Sequence, residues 1–283
     1  MLTQPLPGIE DWVDYFSKQK LPILRQTARR LENAREAIDH VTSRDITAIV
    51  LDDPLMAVRV LAYIQPFRGK HLSSDITTIA SAIMMLGVNP FFKSLGLPST
   101  VESELASEPQ ALLGILQVIH RAQRASRYAH GWAFERHDID LEEVTLAALL
   151  SDLAEILLWC FAPKLAIAVR NRQNADRAQR SAVVQEKVLG IRLIDLQSAL
   201  CDAWKLPELL KTLMDEKNSS TLRVQNVALA VRLARHSADG WKNAALPDDF
   251  RGIESLLHID RPALLKRLDI PEEFHAFYLE SYI

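Results

Sequence analysis

Apolar residues recur at intervals of three and four positions along almost the whole chain, and this spacing limits the possible fold more than any other feature. It follows the turn of an α-helix, whereas a half-buried strand alternates every second residue. The chain has only 9 glycines among its 283 residues, and it shows no convincing strand pattern. The sequence therefore predicts an all-α fold. The stretch 222–237 is an example, with these apolar residues on one side of the helix: Val224, Val227, Ala228, Val231 and Ala234.

Capping residues and prolines predict where the helices begin and end. Thr42 or Ser43 is expected to cap one short helix, and Ser74 a later one. Asp53 followed by Pro54 starts another, because aspartate suits the cap and proline suits the first helical position. The predicted helices cover about 9–16, 24–37, 43–50, 54–63, 75–85, 88–95, 109–134, 141–162, 164–180, 183–189, 194–204, 207–216 and 222–237, with short helices after Pro247.

The helices predicted at 109–134 and 141–162 are the longest, and we expect them to form the centre of the fold. The second of them is also the most apolar stretch of the chain. Ser151, Asp152 and Glu155 interrupt its apolar surface, and its length is barely enough to cross a bilayer. We therefore interpret this stretch as a core helix rather than as a membrane span.

Composition and charge exclude several classes of partner. Hydrophobic residues make up 48% of the chain, which is ample for a buried core. Lys and Arg total 33 against 36 Asp and Glu, a formal net charge of −3. This balance gives no overall attraction to nucleic acid or to an anionic membrane. We therefore expect neither nucleic acid nor a membrane as a partner.

The two cysteines and the N-terminal residues indicate the compartment. Cys160 and Cys201 lie in strongly apolar helical contexts, which favours buried, reduced thiols over a disulfide. The segment Met1–Glu10 carries acidic and proline residues where an export signal needs a basic start and an apolar run. A cytoplasmic location is the resulting expectation.

Three separated stretches of the sequence together carry a resemblance to a known family. The first stretch comprises Leu21-Pro22, Ile46–Leu51, Asp53-Pro54, 55–62 and 76–87; the second comprises 121–129 and 147–153; the third comprises Glu186, Gly190 and 204–207. In this order and spacing they resemble the HDOD family, an output relative of the HD metal-dependent phosphohydrolases. The resemblance covers residues 21–215, and it depends on the order and spacing because no single motif is specific alone. It implies an HD-like helical bundle with an additional N-terminal helical sub-domain.

The resemblance implies three parts in the chain. Residues 1–100 would form the N-terminal helical sub-domain, and residues 101–240 the HD-like helical core. Residues 241–283 would form a C-terminal helical tail packed on that core. The first boundary is expected near 97–107, where the short helices give way to a long one.

The resemblance also indicates where a metal site would lie. Catalytic HD proteins hold divalent metal with a first histidine, an adjacent His-Asp pair and a later aspartate, and the metal activates a bound water. His120 and Asp152 match the first histidine and the aspartate of the pair, whereas Ser151 stands at the pair's histidine. Val231 stands at the later aspartate, and Asp215 falls where other relatives carry a histidine. Two of the four core ligands are lost, so we expect no catalytic metal.

The remaining site residues also have simpler interpretations. His120, near the middle of an amphipathic helix, is expected to be a partly buried hydrogen-bonding residue. Asp152 intrudes on an apolar helix, so it should accept hydrogen bonds from a facing Arg121 or Arg124 and form a polar latch. Arg121 and Arg124 are also candidate contacts for a phosphate or another ligand, although a solvated helix face is the usual explanation of such arginines.

The resemblance implies a non-catalytic regulatory module of bacterial signal transduction that binds a protein partner and needs no cofactor. The input would come from another molecule, because the resemblance includes no receiver or sensor domain. One alternative is a residual metal-dependent phosphohydrolase with ions held by His120, Asp152 and Asp215. Another is a sensor in which a nucleotide occupies the degenerate pocket.

Overall fold

A computed structural model of the chain describes residues 1–67, 76–176, 179–215 and 220–280. The described chain is 73% helical and contains no strand, which confirms the predicted all-α fold. The first helices are α1 (Ile9–Ser17), α2 (Arg25–Glu36), α3 (Ser43–Val50), α4 (Pro54–Ile64), α5 (Ile79–Leu86), α6 (Val88–Leu95), α7 (Val101–Glu104), α8 (Pro109–Glu135) and α9 (Leu141–Leu150). The later helices are α10 (Leu153–Phe161), α11 (Pro163–Ala175), α12 (Ser181–Leu189), α13 (Leu193–Ala203), α14 (Glu208–Met214), α15 (Leu222–His236), α16 (Leu246–Leu257), α17 (Arg261–Arg267) and α18 (His275–Glu280).

The local signals of the sequence place many helix ends correctly. Thr42 caps α3 in a reciprocal capping box with Asp45, and the backbone N–H of Thr42 donates to the Asp45 carboxylate at 2.9 Å. Asp53 caps α4, which has Pro54 at its first position. The predicted bounds of α6 are confirmed at both ends.

Other boundaries differ from the prediction. Helix α5 begins at Ile79 and is capped by Thr78, whose hydroxyl accepts from the Ser81 N–H at 3.1 Å. Ser74, the predicted cap, lies outside the described residues. Helix α7 was not predicted, since its four residues are too short for a periodic signal. The single helix predicted over 141–162 is wrong, because α9 and α10 are separated at Ser151 and Asp152.

The chain forms two compact units, each built from two separate parts of the sequence. Unit 1 comprises Met1–His120 and Leu150–Lys211. Unit 2 comprises Arg121–Leu149 and Thr212–Ile283. The expected parts 1–100, 101–240 and 241–283 stay a prediction.

A buried carboxylate organises the N-terminal part of unit 1. The side chain of Asp53 accepts hydrogen bonds from the N–H groups of Leu24 at 2.7 Å, Leu55 at 2.9 Å and Met56 at 3.1 Å. The last two bonds cap α4, and the first ties the residue before α2 to the same cap. Burial raises the pKa of Asp53, and these N–H donors act in the opposite direction.

A short extended segment joins two separate stretches of the same part of unit 1. Ile23 pairs with the segment after α6, since its N–H donates to the Ser99 carbonyl at 3.0 Å and its carbonyl accepts from Val101 at 2.9 Å. The Arg59 guanidinium donates to the carbonyls of Leu21 at 2.9 Å and Leu95 at 2.8 Å. Arg59 of α4 therefore binds both the residues just before Ile23 and the end of α6.

Gly114 lies where α8 packs closely against α10 in unit 1. A Cβ atom at this position would lie 2.4 Å from a ring carbon of Trp159. Gly114→Ala is expected to lower the free energy of unfolding by about 1–3 kcal/mol, because the buried indole cannot move aside in a close-packed core. Urea unfolding of the purified variant measures this loss.

Gly131, in the same helix, is the matched control. A Cβ atom there meets nothing within 4 Å. Gly131→Ala is therefore expected to raise the free energy of unfolding by about 0.5–1 kcal/mol through helix propensity. Destabilisation of similar size in both variants would show that Trp159 packing is not the cause.

In unit 2, the second half of α8 packs antiparallel to α15. Three hydrogen bonds define this arrangement, since residues late in α8 pair with residues early in α15. The Arg124 guanidinium donates to the Ser237 hydroxyl at 2.7 Å, the Asn226 amide donates to the Ala129 carbonyl at 3.1 Å, and the Arg136 guanidinium donates to the Leu222 carbonyl at 3.2 Å.

A buried arginine holds the last helices of unit 2 together. Arg261, at the start of α17, is 1% exposed and forms a two-pronged ion pair with Glu254 of α16. Its guanidinium also donates to the Tyr278 carbonyl of α18 at 3.3 Å and lies 5.3 Å from the Phe250 ring centre. The Tyr278 hydroxyl donates to the Trp241 carbonyl, so α18 is fixed at both its backbone and its side chain.

The most apolar stretch of the chain is buried. By length and composition, Leu141–Phe161 could cross a membrane, but 78% of its most apolar window is inside the structure. The break at Ser151 and Asp152 further interrupts it. These findings support its interpretation as a core element of a soluble fold.

Both cysteines are buried, reduced thiols, as the sequence predicts. Burial raises the pKa of Cys160 and of Cys201 to about 12, from an ordinary value of 9.0. The reactive thiolate is therefore about 1000-fold scarcer than in an exposed cysteine at the same pH. We expect Ellman's reagent to leave the native protein unmodified at pH 8 and to titrate both thiols in guanidinium chloride. Rapid reaction of either thiol in the native protein would contradict this expectation.

Candidate functional site

Ser151 and Asp152, which are expected to match the HD pair, form a turn between two helices. Helix α9 ends at Leu150, and α10 begins at Leu153. Asp152 adopts φ −103° and ψ 18°, outside the helical region, and its carbonyl accepts the first bond of α10 from Ile156 at 3.0 Å. The turn therefore presents Ser151 and Asp152 on irregular backbone rather than on a continuous helix face.

Gln197 of α13 holds this turn. Its side-chain N–H donates to the Leu150 carbonyl at 2.9 Å, and its side-chain oxygen accepts from the Ala154 N–H at 2.8 Å. One amide thus binds the last carbonyl of α9 and an early N–H of α10, two backbone groups that a helix break leaves without helical partners. Gln197 is buried, so water does not supply these bonds.

Gln197 is a site residue that the sequence did not reveal. The only signal available was a polar side chain on the apolar face of α13, next to Leu196 and in line with Leu193 and Leu200. A buried glutamine amide has both a donor and an acceptor to satisfy, which makes it suited to a helix break. The break itself had to be known before this role could be assigned.

Unit 1 contains three of the predicted positions. Asp152 is 7% exposed, so it is a buried carboxylate as expected. Ser151 is half-buried beside it. His120 is exposed on α8, and the prediction of a partly buried histidine was therefore wrong. The error has a simple cause, since His120 falls outside the apolar stripe formed by Ile115, Val118, Ile119 and Ala122.

Unit 2 contains the other predicted positions. Val231 lies in α15 with 7% of its surface exposed, on a helix whose residues 226–231 are all buried. Asp215 follows α14 and is exposed. The two residues therefore differ in environment, and the isopropyl group of Val231 offers no ligand atom.

The residues present do not fit a catalytic HD metal centre. Within 1–67, 76–176, 179–215 and 220–280, no three His, Cys, Asp or Glu side chains form a group that could hold a metal ion. Ser151 and Val231 stand at two positions where the resemblance predicts an HD ligand, and neither side chain is an imidazole or a carboxylate. The predicted latch between Asp152 and Arg121 or Arg124 joins residues of different units and stays a prediction.

Arg124 is bound to hydroxyl groups of unit 2. Its terminal nitrogen Nη2 donates to Ser237 at 2.7 Å and to Tyr128 at 3.3 Å. The guanidinium lies 5.9 Å from the centre of the Tyr128 ring. Arg121, one turn earlier in α8, is half-buried.

Comparisons with known proteins agree with this architecture. The family model described as HDOD domain matches residues 21–220. The MmoQ response regulator of Methylococcus capsulatus str. Bath has a TM-score of 0.65 and 15% identity, over 88% of this chain and 98% of that chain. A virulence factor of Campylobacter jejuni subsp. jejuni has a TM-score of 0.66 and 18% identity, over 94% of this chain and 93% of that one. No curated protein matches the chain.

Proposed function

Because the chain belongs to the HDOD family, whose model matches residues 21–220, we propose that it is a non-catalytic regulatory module of bacterial signal transduction. In this proposal it acts in the cytoplasm by binding a protein partner. It turns over no substrate and carries no cofactor. The HD-like architecture serves as a scaffold whose surface, rather than its former metal site, transmits the signal.

The observation that carries the non-catalytic part is the environment of Val231. An apolar side chain occupies the position of the late aspartate, inside a helix segment in which Val227, Ala230 and Leu233 are buried as well. Ser151 adds a second loss, because a neutral hydroxyl is a poorer ligand for zinc, iron or manganese than imidazole. His120 and Asp152 alone are too few ligands to hold an ion tightly.

Two solved structures with this fold support the regulatory part of the proposal. One is described as a response regulator and the other as a virulence factor. The match covers 98% and 93% of their lengths, so nearly the whole of each solved chain has the same fold as this one. A signalling protein without turnover must pass its state to another molecule by binding it.

Metal analysis of the purified full chain tests this proposal against the phosphohydrolase alternative. After incubation with Mn²⁺, Fe²⁺ or Zn²⁺ and gel filtration, we expect less than about 0.1 metal ion per chain, because too few ligands remain. Asp152→Asn should leave this value unchanged and alter the free energy of unfolding instead. Near-stoichiometric metal that Asp152→Asn removes, together with metal-dependent hydrolysis of phosphate esters, would overturn the proposal.

Affinity capture tests the partner-binding part. The purified chain serves as bait in a lysate of the source organism, and each captured protein is then purified and mixed with it. We expect one of them to form a stoichiometric complex that survives gel filtration. A chain that forms no such complex, but that nucleotides stabilise in a thermal-shift screen, would instead favour nucleotide sensing.

A further inference from the structure

Arg124 is held at the side of α8 by two hydroxyl groups. The Ser237 hydroxyl donates its own proton to the Leu233 carbonyl at 2.6 Å, so its oxygen must accept from Arg124. Tyr128 supplies a second acceptor and a ring face for the guanidinium. The Tyr128 ring in turn stacks on Trp132, with centres 5.8 Å apart and an angle of 12° between the planes. The two hydroxyls thus bind the Nη2 group of the guanidinium, and the Tyr128 ring lies close to it.

The charge of Arg124 is not neutralised within its unit. Both of its hydrogen-bond partners are neutral hydroxyls, and no described carboxylate of unit 2 forms an ion pair with it. The bonds use only Nη2, so the donors on Nε and Nη1 have no partner in this unit. Arg124 is half-buried, so part of its side chain is exposed to solvent.

A second arginine lies one turn further along α8. Arg127 is exposed, and within the described part of unit 2 it likewise forms no ion pair. Residues three apart on a helix are surface neighbours, with Cβ atoms about 5–6 Å apart, so the two cations repel each other. By contrast, other arginines of this unit are paired with a carboxylate, among them Arg223 with Glu143 and Arg261 with Glu254.

We propose that Arg124, Arg127 and Tyr128 bind a phosphate group of a small molecule. A fixed guanidinium presents parallel N–H donors that match phosphate oxygens, and the neighbouring cation adds charge. Tyr128 accepts from Arg124, so its phenolic proton is available to a phosphate oxygen. The inference goes beyond partner binding and does not rest on it.

The size of the site favours a small molecule over a phosphorylated protein. Two arginines and one hydroxyl provide donors for one phosphate group, and they occupy little more than one turn of α8. The helix continues from Tyr128 to the buried Ala129 and Trp132, where the Trp132 indole N–H is the one side-chain donor and offers little to an extended chain. Inorganic pyrophosphate and a nucleotide both carry the required group.

Thermal unfolding of the full chain, without divalent metal and at constant ionic strength, tests the site. Sodium pyrophosphate or ATP at about 5 mM should raise the melting temperature by about 2–4 °C, and adenosine should not raise it. Arg124→Gln and Arg127→Gln should each remove at least half of this increase. In ³¹P NMR titrations with pyrophosphate, each variant should show an apparent Kd at least about 10-fold higher than the unchanged chain, because a charged donor is lost.

Arg29→Gln is the matched control, because Arg29 is an exposed arginine of α2 in unit 1. This variant should keep the full increase and the original Kd. Equal stabilisation of the unchanged chain and both test variants would overturn the site, because excluded phosphate salts stabilise any compact protein. No stabilisation and no titration by pyrophosphate or ATP would also overturn it.

Two further outcomes keep the test decisive. Arg127 is exposed, so Arg127→Gln reports on binding even if Arg124→Gln unfolds the protein. A phosphopeptide that binds through Arg124 while pyrophosphate and ATP do not would overturn the assignment to a small molecule. Metal content and partner capture are measured separately, so the proposed function and this site can fail independently.

Discussion

Arg261→Leu is expected to lower the free energy of unfolding by about 3–5 kcal/mol, because removal of one member of a buried ion pair leaves an uncompensated charge. Glu254 would lose both of its bonds to the guanidinium, and the Tyr278 carbonyl would lose its donor. Arg261 therefore connects α16, α17 and α18 through one side chain. Urea unfolding, followed by circular dichroism, measures the loss.

Arg251→Leu in α16 is the control for this prediction. Arg251 forms an exposed ion pair with Asp248, with side-chain exposures of 62% and 76%. An exposed pair of this kind contributes about 0–1 kcal/mol, so the control variant should unfold close to the unchanged chain. Similar losses in the two variants would show that burial of the Arg261 pair is not the cause.

The double variant Arg261→Leu, Glu254→Leu separates charge burial from side-chain contact. Replacing both members of a buried pair by apolar residues is often neutral, since no charge then remains in the core. The double variant should recover most of the stability that Arg261→Leu loses. If it is less stable than either single variant, the two side chains contribute separately, and an unpaired Glu254 charge is not the cause of the loss in Arg261→Leu.

Gln197→Leu is the second large effect that we expect, a loss of about 2–6 kcal/mol. The substitution keeps the side chain buried but leaves the Leu150 carbonyl and the Ala154 N–H without a partner, at about 1–3 kcal/mol each. Both groups border Ser151 and Asp152, so the turn should open more often. Amide hydrogen exchange at Ala154, measured by NMR, should accelerate more than exchange in the centre of α13.

Ser198→Ala is the matched control for Gln197→Leu. Ser198 is the next residue of α13 and is exposed. Its replacement should change the free energy of unfolding by less than about 0.5 kcal/mol. If Gln197→Leu leaves exchange at Ala154 unchanged, the amide does not hold the turn.

The sequence predicts local features of this protein well where one residue makes its own bond. Thr42 and Asp53 cap their helices because their side-chain oxygens reach backbone N–H groups two or three residues ahead. The signal is complete within a few residues. The apolar spacing of α15 likewise predicts a helix without knowledge of the elements that pack against it.

Prediction fails where a distant residue completes the structure. The stretch 141–162 has continuous helical periodicity, yet it breaks at Ser151 and Asp152, where Gln197 binds the released backbone groups. The donor and acceptor lie more than forty positions away in the sequence. Local pattern cannot report this bond, because nothing near the break indicates which side chain will reach it.

For the candidate site too, some properties follow from the sequence and others only from the tertiary structure. Residue identity alone determined that Ser151 and Val231 cannot replace an imidazole and a carboxylate, because ligand chemistry belongs to the side chain itself. Only the tertiary structure decided that His120 is exposed and that Arg124 is bound by two hydroxyls without a carboxylate in its unit. Burial and pairing depend on which surfaces the packed helices bring together, and that information is distributed over the whole chain.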